Sequence, residues 1–312
     1  MQVSIVIPCH NAERFIGRCL DSCFAQTHRP IELIAVDDGS ADGTAALLEQ
    51  AAARAPFAMR VVKQSNAGAC AARNAGLALA TGAYIQFMDA DDALHPTKIA
   101  AQVRIATDQG LPGIVAGSVR TIPPNGDEAQ ARIERVGHGD AWLDLMSHGL
   151  GQTSSNLWKR DDVEACHGWD PAMGSSQEYD LMFRILRITS KVIFDTENYS
   201  IVRKRSTGSI TQTNLGPNWV RYVELRTRII GHLKNTRSPA ELAQFHQFLF
   251  DSIRVLYEHD PKSALAFHAK ELPPGFSPSV SPTTRRAYLA LYNVLGFRNT
   301  QWLWSRFHWL AS

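Results

Sequence analysis

The chain has 312 residues, of which 45% are hydrophobic and 20% are charged. This length and composition are typical of a globular protein and exclude a disordered chain. The formal net charge is only +2, which argues against a nucleic-acid-binding protein that relies on a general positive field.

Short apolar runs and helical patterns alternate through about the first 120 residues. The predicted strands are residues 3–8, 31–36, 59–63, 83–88 and 113–119. The predicted helices between them are residues 15–26, 44–54, 69–80 and 96–109. Strands joined by helices of this length form right-handed crossovers. The pattern therefore predicts an α/β fold with a parallel sheet that carries helices on both faces.

The regular alternation ends near residue 121. The later predicted elements are a loop at 123–139, a short helix at 140–148, a strand at 155–159, a helix at 178–188, and strands at 191–195 and 199–203. Residues 216 to about 259 have a helical pattern, and residues 272–284 contain four prolines, which is typical of a linker. We therefore expect three parts: an α/β domain over 1–215, a helical extension over 216–271, and a proline-rich linker with a tail over 272–312.

The last 41 residues, 272–312, have a composition of their own. They contain four arginines, eight aromatic residues and no acid, so the rest of the chain carries a formal charge of −2. Arginine with tryptophan is typical of a segment at a membrane–water interface. It is also typical of a helical extension that packs its aromatic side chains on the α/β domain or on a second subunit. Both interpretations stay open at this point.

The cysteines and the apolar runs indicate a cytoplasmic protein. The five cysteines include no Cys-x-x-Cys pair, so neither a disulfide framework nor a zinc site is predicted. The first residues lack the pattern of a signal peptide, and no stretch of about 18 apolar residues is present. Peripheral contact with the inner face of the membrane, through the tail, is the alternative location.

Acidic residues follow two of the predicted strands. Ligands of a parallel sheet bind at the carboxyl ends of its strands. The segments at those ends are Pro8-Cys9-His10-Asn11, Asp37-Asp38-Gly39-Ser40 and Asp89-Ala90-Asp91-Asp92. Crowded carboxylates are costly unless a cation or hydrogen-bond donors balance them. An Asp-x-Asp sequence suits Mg²⁺ or Mn²⁺ shared with phosphate oxygens, whereas a single acid at such a place is more often a helix cap.

Four motifs in order carry a family resemblance. The segments VSIVIPCHN, VDDGSADGT, NAGACAARNAG and DADD resemble those of the family 2 glycosyltransferases, with strong likeness over about residues 2–100 and weaker likeness to about 211. The resemblance implies the GT-A fold, a Rossmann-like and mostly parallel sheet. It also implies an inverting, nucleotide-sugar-dependent enzyme that moves a sugar onto a glycan or lipid-linked acceptor in polysaccharide or cell-surface glycan biosynthesis.

The resemblance also implies roles for residues on the donor side. Asp38 would accept a hydrogen bond from the nucleotide base, usually uracil, and Asp91 would bind the Mn²⁺ or Mg²⁺ on the diphosphate. Asp89 and the adjacent Ala90 would lie near the ribose or the donor sugar, and Arg73 near the donor. The residues that would line the base pocket are Pro8, His10 and Asn11.

Two later motifs match the family less closely. SSQEYDLMFRI resembles a Glu-Asp-Trp-Asp-Leu stretch, which makes Glu178 the candidate catalytic base and Asp180 the reserve; a helix N-terminus that simply favours acids is the alternative. RKRSTGSIT resembles a segment near the diphosphate and places Arg205 there, but Ser206 stands where histidine is common. The basic residues could balance phosphate charge or be solvated.

Two functions of other classes compete with a glycosyltransferase. A sugar nucleotidyltransferase would need a glycine-rich basic loop after the first strand, and residues 9–18 do not have one. A non-catalytic nucleotide-sugar-binding scaffold is the other alternative, because Gln177 and Ser206 depart from the family pattern. An assay with UDP-sugars and Mn²⁺ distinguishes these possibilities.

Overall fold

The computed structural model describes residues 1–124, 126–137, 139–189, 191–204 and 214–307. Two compact units make up the chain, Met1–Thr207 and Gly208–Ser312. Their boundary, like Arg205 and Ser206, lies outside the described residues. The division of the chain at 215 and 271 stays a prediction.

The first unit is built on one sheet, in which the described residues form nine strands. The strands are β1 Val3–Cys9, β2 Ile31–Asp38, β3 Met59–Gln64, β4 Tyr84–Phe87, β5 Ala93–Leu94, β6 Ile114–Ile122, β7 Arg132–Glu134, β8 Leu157–Lys159 and β9 Val192–Arg203. Their order is β3-β2-β1-β4-β8-β6-β9-β5, and β7 pairs with β6. β1 to β4, β6 and β9 run in one direction, and β5, β7 and β8 run in the other. The predicted α/β fold with a mostly parallel sheet is confirmed.

Helices cover both faces of this sheet. They are α1 Ile16–Phe24, α2 Thr44–Arg54, α3 Ala69–Leu77, α4 Lys98–Asp108, α5 Ala141–Ser147, α6 Arg160–Ala165 and α7 Gln177–Leu186. Apolar side chains of α1, α2 and α4 form one core with Ile5 and Ile7 of β1. Val6 points to the opposite face because side chains alternate along a strand. On that face α3 packs closely, and a Cβ atom on Gly76 would clash with Cγ1 of Val6.

The structure departs from the sequence prediction mainly after residue 121. The predicted strands 191–195 and 199–203 form one strand, β9, whose residues 196–198 bulge where the pairing with β6 shifts between Gly117 and Ser118. The predicted loop 123–139 contains β7, which extends β6 as an antiparallel hairpin. The short strand β5 and the helix α6 were not predicted.

The second unit is helical in its described residues. Its helices are α8 Leu215–Leu233, α9 Pro239–His259, α10 Pro261–Glu271 and α11 Arg286–Phe307. The helical pattern predicted up to residue 259 is confirmed, and α10 lies within the helical extension expected over 216–271. Asp260-Pro261 is a typical helix start, and the Asp260 carboxylate accepts a hydrogen bond from the Ser263 amide at 3.0 Å. Gly296, with φ of 70°, interrupts α11.

The tail packs part of its aromatic side chains within this second unit. The Phe250 ring of α9 contacts the rings of Tyr288, Tyr292 and Phe297, with centroids 5.5–6.3 Å apart. The buried Arg254 guanidinium lies 3.5 Å from the Tyr288 ring centroid. In the part of the chain that the structure describes, no helix is both long and apolar enough to cross a bilayer.

Candidate active site

The Asp38 carboxylate is buried at the end of β2 and accepts three hydrogen bonds. Oδ1 accepts from Nε2 of Gln64 at 2.7 Å and from the Ala67 amide at 2.8 Å, and Oδ2 accepts from the Gly68 amide at 2.9 Å. A carboxylate can accept about four hydrogen bonds, so one acceptor position of Oδ2 remains. Gly68 begins the turn into α3 with φ of 89°, a conformation that favours glycine.

His10 and two asparagines lie beside Asp38. Nδ1 of His10 is 2.8 Å from the Asp38 carbonyl oxygen, which only accepts, so Nδ1 carries the proton in this contact. With that tautomer Nε2 of His10 is an acceptor, and it lies 3.1 Å from Nδ2 of Asn11 and 3.3 Å from Nδ2 of Asn66. Pro8 is buried within β1. Predicted base-pocket residues from the first two strands are therefore brought to one edge of the sheet.

The Asp89-Ala90-Asp91-Asp92 loop follows β4, and its backbone is held from several sides. The Asp89 amide donates to Oγ of Ser154 at 3.0 Å, and the Asp92 amide donates to the Asp89 carbonyl at 3.0 Å. Nη2 of Arg18, from α1, donates to the Asp91 carbonyl at 2.5 Å. These bonds leave Asp89, Ala90 and Asp91 partly exposed at the carboxyl end of the sheet.

Three carboxyl groups of this loop repel one another. Asp92 is buried, and Oγ of Ser154 donates to its Oδ2 at 2.6 Å. Burial raises the pKa of the Asp92 carboxyl well above its ordinary value, and the charges of Asp89 and Asp91 raise it further. A cation at the exposed side of the loop would relieve this repulsion.

The donor set of the loop fits a divalent cation that is held mainly by phosphate. Among the described residues, no group of three or more His, Cys, Asp or Glu side chains is arranged to hold a metal ion. Mg²⁺ and similar ions are commonly bound by one or two carboxylates together with substrate phosphates and water. The partly exposed Asp91 carboxylate fits that arrangement, which needs no preformed cage.

Arg73 connects the acidic loop with α7. Its side chain is buried, Nη2 pairs with Oδ1 of Asp89 at 2.6 Å, and Nη1 donates to Oε1 of Gln177 at 3.0 Å. Cζ lies 4.4 Å from the centroid of the Trp169 ring. The neighbouring Asn74 binds the backbone of Trp169 through both ends of its amide, at 2.7 and 2.8 Å. The family resemblance implied a place near the donor for Arg73 and gave no indication of these contacts.

Glu178 and Asp180 both lie in the first turn of α7, in different surroundings. Burial raises the pKa of the Glu178 carboxyl; the charge of Asp89 also raises it, and that of Arg73 lowers it. Asp180 is buried and pairs through Oδ2 with Nε of Arg184 at 2.8 Å, one turn along the helix. The structure therefore brings Glu178 into electrostatic contact with Asp89 and Arg73, whereas the carboxylate of Asp180 pairs with Arg184.

Some site residues gave little or no sequence signal. Ser154 stands in a short polar run that carries no recognisable motif, and it is 62 residues from its partner Asp92. Gln177 was noted only as a departure from the family pattern. The predicted Arg205 lies outside the described residues, and Arg203 donates through Nη1 to the Gly126 carbonyl at 2.8 Å.

Residues 4–168, which include the donor-side residues described above, match the family model described as glycosyl transferase family 2. An uncharacterised glycosyltransferase of Nostoc sp., alr2836, is 31% identical over 182 residues, which is 55% of this chain and 55% of that protein. The chain thus spans about half the length of this relative. The amylovoran biosynthesis glycosyltransferase AmsB of Erwinia amylovora is 28% identical over 215 residues, 64% of this chain and 70% of that protein.

Solved structures with a similar fold include two that contain nucleotide sugars. S. aureus TarS 1–349 in complex with UDP-GlcNAc has a TM-score of 0.70 and 15% identity, covering 100% of this chain and 93% of that one. The mannosyltransferase PcManGT of Pyrobaculum calidifontis, in complex with GDP-Man and Mn²⁺, has a TM-score of 0.57 and 17% identity, covering 97% of this chain and 83% of that one. At these identities the likeness shows the fold, and it agrees with the architecture that the resemblance implied.

Proposed function

Because the chain belongs to glycosyl transferase family 2, we propose that it transfers a sugar from a nucleoside diphosphate sugar to an acceptor hydroxyl group with inversion. One observation carries this proposal. Arg73 binds Asp89 of the acidic loop and Gln177, the residue before Glu178. These contacts, together with the influence of the Asp89 charge on Glu178, support a role for Glu178 as the proton acceptor beside the loop that would hold the donor.

The reaction that these residues support is a single displacement. Glu178 accepts the proton of the acceptor hydroxyl, whose oxygen forms a bond with the anomeric carbon as the bond between that carbon and the phosphate oxygen breaks. The electron pair leaves with the nucleoside diphosphate. Asp91 would hold the divalent cation, which supplies positive charge to the departing diphosphate when bound. A raised pKa suits Glu178, because it makes the carboxylate a stronger base.

We propose a uracil nucleotide as the donor, on the basis of the hydrogen bonds of Asp38. Its Oδ1 already accepts two, and its Oδ2 accepts one. One further donor can therefore be bound, which suits the single N3–H of uracil. Guanine presents N1–H and N2–H side by side and is best matched by a carboxylate with both oxygens available. On this argument UDP binds about tenfold or more tightly than GDP.

A carbohydrate or lipid-linked acceptor in polysaccharide biosynthesis is the proposed context. The printed name of AmsB, amylovoran biosynthesis glycosyltransferase, supports it. In α11, Val294 is 82% exposed and Trp302 is 47% exposed, and the four arginines of residues 272–312 are exposed in a segment without acids. Apolar and aromatic side chains flanked by arginine suit an anionic lipid surface. We therefore propose that α11 contacts the membrane through the exposed side chains of Val294 and Trp302.

The proposal is tested by measuring UDP or GDP release from UDP-glucose, UDP-GlcNAc, UDP-galactose and GDP-mannose, with Mn²⁺, with Mg²⁺ and with EDTA. We expect metal-dependent release from a UDP-sugar, with UDP binding measured in parallel by calorimetry. Binding of UDP with Mn²⁺ and no release from any donor, with or without a crude glycan acceptor, would instead support a non-catalytic nucleotide-sugar-binding protein. Release of pyrophosphate from UTP and a sugar 1-phosphate would support a nucleotidyltransferase.

A further inference from the structure

The first turn of α7, which carries Glu178, begins without an ordinary helix cap. Ser176, the residue before the helix, has φ of 56° and its side chain makes no capping hydrogen bond. A serine or aspartate cap normally binds the first amides of a helix and so fixes where the helix starts. The position of this turn therefore depends on the contacts of its side chains, among them the pair of Asp180 with Arg184.

The Gln177 side chain supplies a further contact, through both ends of its amide. Oε1 accepts from Nη1 of Arg73 at 3.0 Å, and Nε2 donates to the Met173 carbonyl at 2.9 Å. A guanidinium only donates and a carbonyl only accepts, so these two partners determine the orientation of the amide. A carboxylate at this position could accept from Arg73, but its second oxygen would face the Met173 carbonyl oxygen, which is repulsive.

Arg73 is itself held by several contacts, so its hydrogen bond to Gln177 fixes where the Gln177 side chain lies. Its guanidinium is buried, pairs with Asp89 at 2.6 Å and lies over the Trp169 ring. Arg73 and Gln177 are 104 residues apart, and their contact joins α3 and the acidic loop to the start of α7. Gln177 immediately precedes Glu178, so a shift of the amide shifts the carboxylate.

We propose that Gln177 is a positioning residue whose amide, bound between Arg73 and the Met173 carbonyl, sets the place of Glu178 relative to Asp89. The proposal rests on the proposed function, in which Glu178 is the base. It explains why glutamine stands here although the family pattern has glutamate: the partners require one acceptor and one donor. Gln177→Glu, which restores the family-like residue with almost no change of size, is therefore expected to impair the enzyme.

The experiment compares Gln177→Glu and Gln177→Ala with the unchanged protein and with Gln50→Glu, which adds the same charge at an exposed position of α2. UDP release from UDP-GlcNAc with Mn²⁺, or from whichever UDP-sugar the unchanged protein cleaves, gives kcat and KM. Calorimetry gives the affinity for UDP with Mn²⁺. We expect kcat to fall about 10- to 100-fold in both Gln177 variants, since small displacements of a catalytic group have effects of that size. UDP affinity and KM should stay within about twofold, because Asp38 and Asp91 are untouched.

A second readout does not depend on turnover. Gln177→Glu loses the bond to the Met173 carbonyl and adds a carboxylate near Asp89 and Glu178, so we expect its Tm to fall by about 2–5 °C relative to Gln50→Glu. Helix-dipole and ion-pair effects alone predict a rise, because an acid is favoured at a helix N-terminus and beside Arg73.

The outcomes separate the two proposals. A kcat for Gln177→Glu equal to that of the unchanged protein, or a rise in Tm, overturns the role of the amide. A loss of UDP affinity in proportion to kcat in both variants shows general disruption of the site and also overturns it. If the unchanged protein cleaves no donor, the proposed function fails, and Tm alone decides whether the Arg73–Gln177–Met173 contact holds α7.

Discussion

Replacement of Glu178 by glutamine tests the proposed base most directly, because it removes the proton acceptor and keeps the size of the side chain. A positioned general base contributes about 10²- to 10⁴-fold to rate. We therefore expect kcat of Glu178→Gln to fall by at least about 100-fold, while its affinity for UDP with Mn²⁺ is retained. The assay is UDP release from the best UDP-sugar, with calorimetry for binding.

The pH profile of the unchanged protein gives an independent check. Burial raises the pKa of the Glu178 carboxyl above its ordinary value of about 4.3, and Asp89 contributes to the rise. A protonated carboxyl cannot accept a proton, so kcat/KM falls as the pH falls through this raised pKa. We expect the acid limb at a pH clearly above about 4.3, and we expect the residual activity of Glu178→Gln to lack it.

Asp180→Asn is the matched comparison in the same helical turn. Oδ2 of Asp180 pairs with Arg184, whose Nη1 also donates to the carbonyls of Cys166 and Gly168 at 2.5 and 2.7 Å. This pair is largely buried, and asparagine retains part of the hydrogen bonding, so the free energy of unfolding should fall by about 1–3 kcal/mol. We expect a lower Tm and a change in kcat of less than about tenfold.

The assignment of Glu178 as the base is refuted if Glu178→Gln keeps its turnover and Asp180→Asn loses it. Turnover of Glu178→Gln within a few-fold of the unchanged protein would remove Glu178 from the role of base. If Asp180→Asn at the same time lost about 100-fold in kcat with an unchanged Tm, the base would be Asp180, and its ion pair with Arg184 would have to open during the reaction.

Three further tests concern the donor side and the tail. Asp91→Asn should bind UDP with an affinity that Mn²⁺ no longer increases, which calorimetry with and without EDTA measures; retained metal dependence contradicts its role. Asp38→Asn turns an amide N–H₂ toward backbone donors, so UDP affinity should fall about tenfold or more and Tm by a few degrees; unchanged UDP binding contradicts the base pocket. The double variant Val294→Ser/Trp302→Ser should float less with vesicles that contain phosphatidylglycerol than the unchanged protein does. Val280→Ser, which changes another exposed valine of residues 272–312, should float as the unchanged protein does. Equal flotation of the double variant, the Val280→Ser variant and the unchanged protein refutes the membrane contact.

The first half of the fold was predictable because its elements are short and strongly patterned. α2 begins and ends at the predicted residues, and β1 and β2 extend the predicted apolar runs by one and two residues. The β2 extension is informative, since it adds Asp37 and Asp38 to the strand. These acids lie beyond the apolar run, and their backbone completes the pairing with β1 and β3.

The later strands and the contacts within the site could not be predicted, because they depend on residues that are far apart in the sequence. Residues 196–198 are polar, and because they interrupt an apolar run the sequence predicted two separate strands. In the structure β6 is long enough to pair with β9 on both sides of the bulge. The partners of Arg73 come from segments 16 and 104 residues away. Motifs therefore located the candidate acids, and the arrangement that distinguishes Glu178 from Asp180 required the tertiary structure.

The core beneath the acidic loop is polar, and this explains how the loop keeps its place. Lys98 is fully buried, burial lowers its pKa to about 7, and its Nζ donates to Oε1 of Gln86. Gln86 in turn donates to the Ser154 carbonyl at 2.9 Å, and the Ser154 hydroxyl binds both Asp92 and the Asp89 amide. A buried polar group that loses its partner costs about 1–3 kcal/mol, so the loop cannot shift without breaking several bonds of this network at once. The position of the Asp-Ala-Asp-Asp sequence is thus determined by α4, β4 and the segment before β8. Without these supporting residues, the four residues of the motif would not be held in place to bind a donor.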